Sequence, residues 1–345
     1  MNIPQAQLAA VQALGYTESE ARFLYLVALH SGYFVARQFL GFTGAHWGKR
    51  TTSFWNKLQV SRLARTYRYA QGGTVYHLFS RKLYRQIGRE CPHNRSEHEF
   101  EYVSRRIAML DFVLGNLDNR YLETEPDKVA YFCSERNIPS TDLPSKTYGG
   151  RYTAKPTVRY FVDRYPMFFP ADVSAPRVVT FTYIQGAETS LTGFIHHLRC
   201  HLPLFRELPE FHFLFLARCD AYFAKAAELF RDVVTIPLES NPAEGLLRYF
   251  AIRKAWEQGQ YASVTEDDLI FRNLAKERFG GARFEHSYRA WKIGRLSDAK
   301  IRQDLPGSDE PHATHFETQI LPAIGVRERG SVQLPVGNGD ARAEI

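Results

Sequence analysis

The sequence predicts a mixed α and β protein: an N-terminal winged helix-turn-helix, then an α/β domain, then a helical C-terminal extension. Three observations predict it. Residues 44–80 read as a basic helix, a strand, a glycine turn and a second strand. The excess positive charge lies wholly in the first quarter of the chain. Beyond residue 117, the helical spacing of apolar residues gives way to short apolar strands separated by helices.

The bounds agree with this. A chain of 345 residues, 44% hydrophobic, can bury a core and divide into two domains. Residues 1–90 hold 12 Lys or Arg and 3 Glu, net +9, against +7 for the whole chain. That asymmetry marks a polyanion partner, double-stranded DNA above all. No apolar run approaches the roughly 20 residues of a membrane span, so no membrane partner is expected. The start of the chain lacks a basic segment leading into an apolar one, so no signal peptide is expected. Cys91, Cys133, Cys200 and Cys219 are scattered without a C-x-x-C pair. A reduced cytoplasmic protein follows as the expectation.

The elements are read in order. Residues 3–15 predict a short helix. Thr17-Glu18-Ser19-Glu20 has the form of a capping box, opening a helix to His30 with Phe23, Leu24, Leu26, Val27 and Leu29 towards a core. Val35 to Phe42 predicts a second helix, and Thr43-Gly44 a turn. The helix from His46 to Val60 gathers Trp47, Phe54, Trp55 and Leu58 on one side. Lys49, Arg50, Thr51, Thr52, Ser53, Asn56 and Lys57 fill the rest. Short hydroxyls and amides reach base edges; Lys and Arg reach phosphates or guanine. Leu63 to Tyr69 then alternates as a strand carrying Arg65 and Arg68. Gln71-Gly72-Gly73-Thr74 is a hairpin turn, and Thr74 to Phe79 returns. Lys49, Arg50, Thr51, Thr52, Ser53, Asn56 and Lys57 are therefore the candidate DNA contacts. Arg65, Arg68, Gly72 and Gly73 are the candidate wing.

After a closing helix (81–88) and a linker, residues 97–117 predict a long helix leading the second domain. Strands are expected at 128–133, 155–165, 177–184, 210–217 and 232–238, with helices at 189–206 and 221–230. The segment 131–157, rich in Pro and Gly, is expected to be irregular. Domains are thus placed at 1–90, 97–240, a helical extension at 241–302, and a largely disordered tail at 303–345, which is a candidate protein-binding arm. A homodimer through the α/β domain is a further expectation.

The α-β-β-β-α-β order is that of the restriction-endonuclease-like core. Joined to a winged helix, it resembles the replication-relaxation family of plasmids and other mobile elements. The residues carrying the resemblance are the Thr17-x-x-Glu20 start, the basic helix, the wing ending Tyr76-His77-Leu78, and the helix opening Glu97-His98-Glu99. It covers about residues 15–240. It implies a role in replication, transfer or transcription control of a mobile element.

It also raises a nuclease hypothesis. Such a site needs carboxylates and a lysine around Mg²⁺, which activates water and holds the scissile phosphate. Asp163 on the second expected strand is one candidate, with Glu99 and Glu101 on the long helix. The third expected strand, Val178 to Gln185, supplies neither acid nor lysine. A degenerate, non-catalytic scaffold that uses no cofactor is therefore the preferred reading, with a Mg²⁺-dependent endonuclease as the alternative. A protein-interaction scaffold without DNA binding is the second alternative. His197 and His201, at i and i+4, form a weak zinc pair. A polar helix surface is the simpler account of them.

Overall fold

The computed structural model describes residues 3–68, 74–88, 92–149, 156–171, 178–186, 190–239, 242–279, 281–305 and 312–321. The chain is mixed α and β and divides into two compact units, one built on residues 1–117 and the other spanning 118–320.

In the first unit, α1 (Gln5–Gln12) leads to α2 (Glu18–His30). The expected capping box is present. The Thr17 amide donates to Glu20 Oε2 at 2.8 Å, and the Glu20 amide donates to Thr17 Oγ1 at 3.3 Å. Next come β1 (Tyr33–Val35), α3 (Ala36–Thr43), α4 (Lys49–Val60), β2 (Ala64–Arg68) and β3 (Thr74–Leu78). The three strands form one antiparallel sheet, in the order β1-β3-β2. Sequence reading had missed β1, whose three residues are too few to show a period. Gly32, just before it, has φ +81°, and a Cβ there would lie 2.7 Å from the Asn94 carbonyl oxygen. Both facts require glycine.

The core of this unit is aromatic. Phe23, Phe34 and Phe54 are fully buried, and the Phe39 and Phe54 rings stack at 3.9 Å. Trp55 stacks on Tyr76 at 4.6 Å, joining α4 to β3.

After α5 (Arg81–Gln86) and α6 (Pro92–Arg95) comes the long helix α7 (Phe100–Gly115). Sequence reading assigned it to the second domain. It belongs to the first unit instead, because its polar residues are spent there. The buried Asp111 carboxylate accepts two bonds from Arg37, at 2.6 and 2.7 Å, and one from Gln38 Nε2 at 2.8 Å. The buried Arg106 donates to the Ser31 carbonyl and to Asn94 Oδ1. Buried charges need such partners, and these fix α7 against α3 and the end of α2.

The second unit holds a five-stranded sheet in the order β10-β9-β8-β7-β4. Its elements are β4 (Arg120–Tyr121), α8 (Glu125–Val129), β5 (Ser145–Tyr148), β6 (Thr157–Tyr160), β7 (Met167–Phe169), β8 (Thr180–Ile184), α9 (Thr192–Arg206) and β9 (Glu210–Ala217). Then follow α10 (Phe223–Phe230), α11 (Ile236–Glu239), α12 (Pro242–Glu257), α13 (Glu266–Phe279), α14 (Ala282–Lys292), α15 (Asp298–Asp304) and β10 (Ala313–Ile320). β4, β7 and β8 form an antiparallel meander, while β8, β9 and β10 run parallel. α9 makes the crossover from β8 to β9. Phe211, Phe213 and Phe215 point to one side of β9, fully buried; Phe205 stacks on Phe211 at 4.4 Å. A separate apolar cluster among α12–α15 contains Leu246, Phe250, Phe279 and Tyr288.

Four expected features are corrected. Residues 128–133 are helical, not a strand. Thr124-Glu125-Pro126-Asp127 is a capping box with a proline in the first turn, and it starts α8, which continues as a π-helical turn over Ala130–Glu135. The 155–165 segment is a strand only over β6, which pairs with β5 in its own two-stranded sheet. Positive φ at Phe161 and Arg164 ends it. Residues 232–238 continue α10 helically, despite their β-branched run. Finally, the expected disordered tail contains β10, an eight-residue strand paired with β9 along its length. Residues 322–345 of that tail lie outside the described residues. None of the described helices is long and apolar enough to cross a membrane.

Candidate nucleic-acid interface

α4 presents two chemically distinct sides. Phe54 and Leu58 are buried at 0% and 1% exposure and pack on the core. Lys49, Thr52, Ser53 and Asn56 recur at i, i+3, i+4 and i+7 and are exposed. With Lys57 and Val60 they line a shallow depression of about 490 Å³. The segment Lys49–Val60 contains no Asp or Glu. This exposed side therefore offers a cation, two hydroxyls and an amide.

Several candidates do other work. Thr51 is 1% exposed, and its hydroxyl donates to the Gly48 carbonyl at 2.7 Å while accepting from the Gly48 amide at 2.9 Å. It caps α4 and cannot reach a base. Lys57 Nζ donates to Glu20 Oε2 at 2.7 Å, so its charge is partly compensated. Arg65 pairs with Glu97 and lies 4.4 Å from the centre of the Phe79 ring. The Tyr67 hydroxyl and then the Arg65 guanidinium hold the Glu97 carboxyl below its ordinary value. Arg68 is exposed at the end of β2, opposite Thr74. Gly72 and Gly73 lie outside the described residues, as does the side chain of Arg50. Trp47 is not a core residue; it precedes α4 and is 67% exposed.

The far end of α4 is clamped. The Tyr16 hydroxyl bonds Ser61 Oγ at 3.0 Å, and Lys57 sits 5.7 Å from the Tyr16 ring centre. Extending the first unit to residue 117 adds 3 basic and 4 acidic residues, leaving its net charge at +8.

The nuclease candidates are placed differently. Glu99 and Glu101 are exposed at the start of α7, in the first unit. Asp163 is in the second, in the turn between β6 and β7 rather than on a strand. β7 reads Met-Phe-Phe and β8 Thr-Phe-Thr-Tyr-Ile, all buried. Asp163 is instead brought to the histidines of α9. Its Oδ2 meets His197 Nδ1 at 2.9 Å. Burial raises this carboxyl, but the His197 bond and the charges of His197, His201 and His196 outweigh it and lower the pKa to about 2.

The His197–His201 pair is close, with ring centres 4.0 Å apart. Yet His197 Nδ1 is taken by Asp163, and His201 Nδ1 bonds the His197 carbonyl at 2.8 Å. His201 is also buried, which pushes its pKa well down. These rings pack between Tyr165, Tyr183 and Phe181. His197 Nε2 is buried without a hydrogen-bond partner, but with one nitrogen of each ring already bonded and the rings packed among aromatics, the pair is better described as a core arrangement than as a zinc clamp.

Sequence reading missed another grouping. Among the described residues, Glu210, His212 and His315 form a set of three possible metal donors within 4.8 Å of one another. The alternation of Ala313-Thr314-His315-Phe316-Glu317-Thr318 was the available signal for the strand that carries His315. Compared with protein-family models, curated proteins and solved structures, the chain matches none of them.

Proposed function

We propose that the chain is a DNA-binding protein whose first unit is a winged helix-turn-helix. α4 enters a major groove, presenting Lys49, Thr52, Ser53 and Asn56. The β2–β3 hairpin lies on the adjacent backbone through Arg68. The observation that carries this reading is the exposed side of α4: it offers a cation and hydrogen-bonding groups without a carboxylate, set on an aromatic core. A polyanion is repelled by nothing on that helix, and its hydroxyls and amide suit base edges. The +8 charge of the same unit adds long-range attraction.

The second unit serves as a nuclease-like scaffold for dimerisation or an extra contact. The antiparallel β4-β7-β8 part of the sheet, with α8 and the β5–β6 pair inserted after β4, followed by α9 and parallel β9, supports that reading, since within the sheet it follows the β-β-β-α-β part of the restriction-endonuclease-like order. The buried apolar residues of β7 and β8 argue against hydrolysis there. Service to a mobile element is the corresponding biological proposal, resting on the family resemblance. Trp47 and Val60, 67% and 85% exposed at the two ends of α4, favour one competing reading, a protein partner on the same surface.

The test is fluorescence anisotropy of the full chain with random-sequence duplex DNA across a salt series, with and without Mg²⁺. Affinity that falls with salt on intact DNA supports the proposal. Absence of binding transfers α4 to a protein partner, and Mg²⁺-dependent cutting restores the nuclease alternative.

A further inference from the structure

We propose that Glu210, His212 and His315 bind a divalent transition metal of the zinc class across the seam between β9 and β10. In a strand, residues two apart share a face, so Glu210 and His212 stand side by side. The parallel register sets His315 directly beside His212. Their ring centres are 4.8 Å apart, and His315 Nε2 lies 4.0 Å from Glu210 Oε1. One donor atom from each residue lies within 4.8 Å of the others. Zinc takes such donors at about 2.0–2.2 Å, which places them roughly 3.4 Å apart in a tetrahedron. Closing the remaining gap takes small torsions of side chains that have room to move: His315 is 57% exposed and Glu210 44%.

The donors stand at the open end of their face of β9: the Glu210 and His315 side chains are about half-exposed, whereas Leu214 and Leu216 further along that face are buried. Phe211, Phe213 and Phe215 are buried on the opposite side. Donor chemistry selects the metal: two imidazoles and one carboxylate suit zinc, cobalt or nickel, whereas magnesium and calcium prefer all-oxygen sets. Three protein donors leave a fourth position for water or another ligand. The site also has a mechanical consequence. β10 is the edge strand and is bonded within the sheet to β9. A metal held by both strands would staple that edge in place.

The experiment titrates the full chain with Zn²⁺ by calorimetry and with Co²⁺ by visible absorption, alongside hydrogen exchange of the β10 amides. Expected are a single equivalent of metal, slower exchange over Ala313–Ile320 when it is bound, and affinity reduced at least about tenfold in His315→Ala and in His212→Ala. The exposure of His315 makes its alanine variant a safe test of the site rather than of folding. Failure of the wild-type chain to bind Zn²⁺ would overturn the proposal. So would unchanged binding in the His212→Ala/His315→Ala double variant, most plainly if His197→Ala abolished it, since the metal would then reside on α9.

Discussion

Replacing Lys49 and Arg68 together by alanine should change the salt dependence of DNA binding far more than replacing Lys57. Lys49 and Arg68 are exposed, with no ion pair drawn to them among the described residues. Lys57 already donates to Glu20 at 2.7 Å, with its side chain 32% exposed. A phosphate contact must replace that bond, so its net gain is small. Each cation that neutralises a phosphate contributes about −0.9 to the slope of log affinity against log salt. Raising salt from about 50 to 200 mM therefore costs about 3.5-fold per contact, or about 12-fold for two. The double variant should lose close to two units of slope, while Lys57→Ala should lose well under one. Anisotropy titrations at four salt concentrations measure both. Equal slopes in the wild type and the Lys49→Ala/Arg68→Ala variant would refute the assignment of this surface. A larger effect from Lys57 would mean that the Glu20 pair opens on binding.

Other outcomes follow from the same structure. Arg37→Ala should destabilise the first unit by about 3 kcal/mol, because it leaves the buried Asp111 carboxylate without its guanidinium; urea denaturation measures it. Phe54→Ala should cost about 3–5 kcal/mol, since that ring is fully buried against Phe39 and Phe23. Thr17→Ala should cost about 1 kcal/mol through loss of the cap on α2. Asp163 has a depressed pKa in the folded chain, so its contribution is present above the unfolded value and vanishes as pH falls towards about 2. The stability difference between the wild type and Asp163→Asn should therefore shrink between about pH 4 and 2. Because the carboxylate is 51% exposed, solvent screening keeps that difference small. A pH-independent difference would contradict the Asp163–His197 pairing.

What could be read from the sequence was local. The Thr17–Glu20 cap, the antiparallel pair β2 and β3, and strand Glu210–Ala217 each announce themselves within a few residues, through hydrogen-bonding chemistry, alternation or a concentrated apolar run. The exposed side of α4 was legible for the same reason. The roles of Thr51, Lys57 and Arg65 were not, because each depends on a partner. For Lys57 and Arg65 the partner is 37 and 32 residues away; for Thr51 it is a backbone turn whose geometry the sequence does not display. Residues 232–238 misled for the opposite reason. Val233, Val234 and Ile236 favour a strand locally, but the helix already running through Phe230 extends over them. β10 was missed because eight polar-leaning residues form a strand only beside β9, which lies about 100 positions earlier in the chain.

The carboxylate of Glu20 serves two helices at once. It receives the Thr17 amide at the start of α2 and the Lys57 ammonium from α4. Stability and attraction to a polyanion are therefore set against each other at a single atom. A glutamine there keeps the geometry of the cap but releases Lys57 and raises the net charge by one. On the proposed DNA-binding reading, such a chain would hold random DNA more tightly and its own fold less tightly. If the proposed DNA reading holds, a genetic screen for altered binding would recover Glu20 through its bond to Lys57.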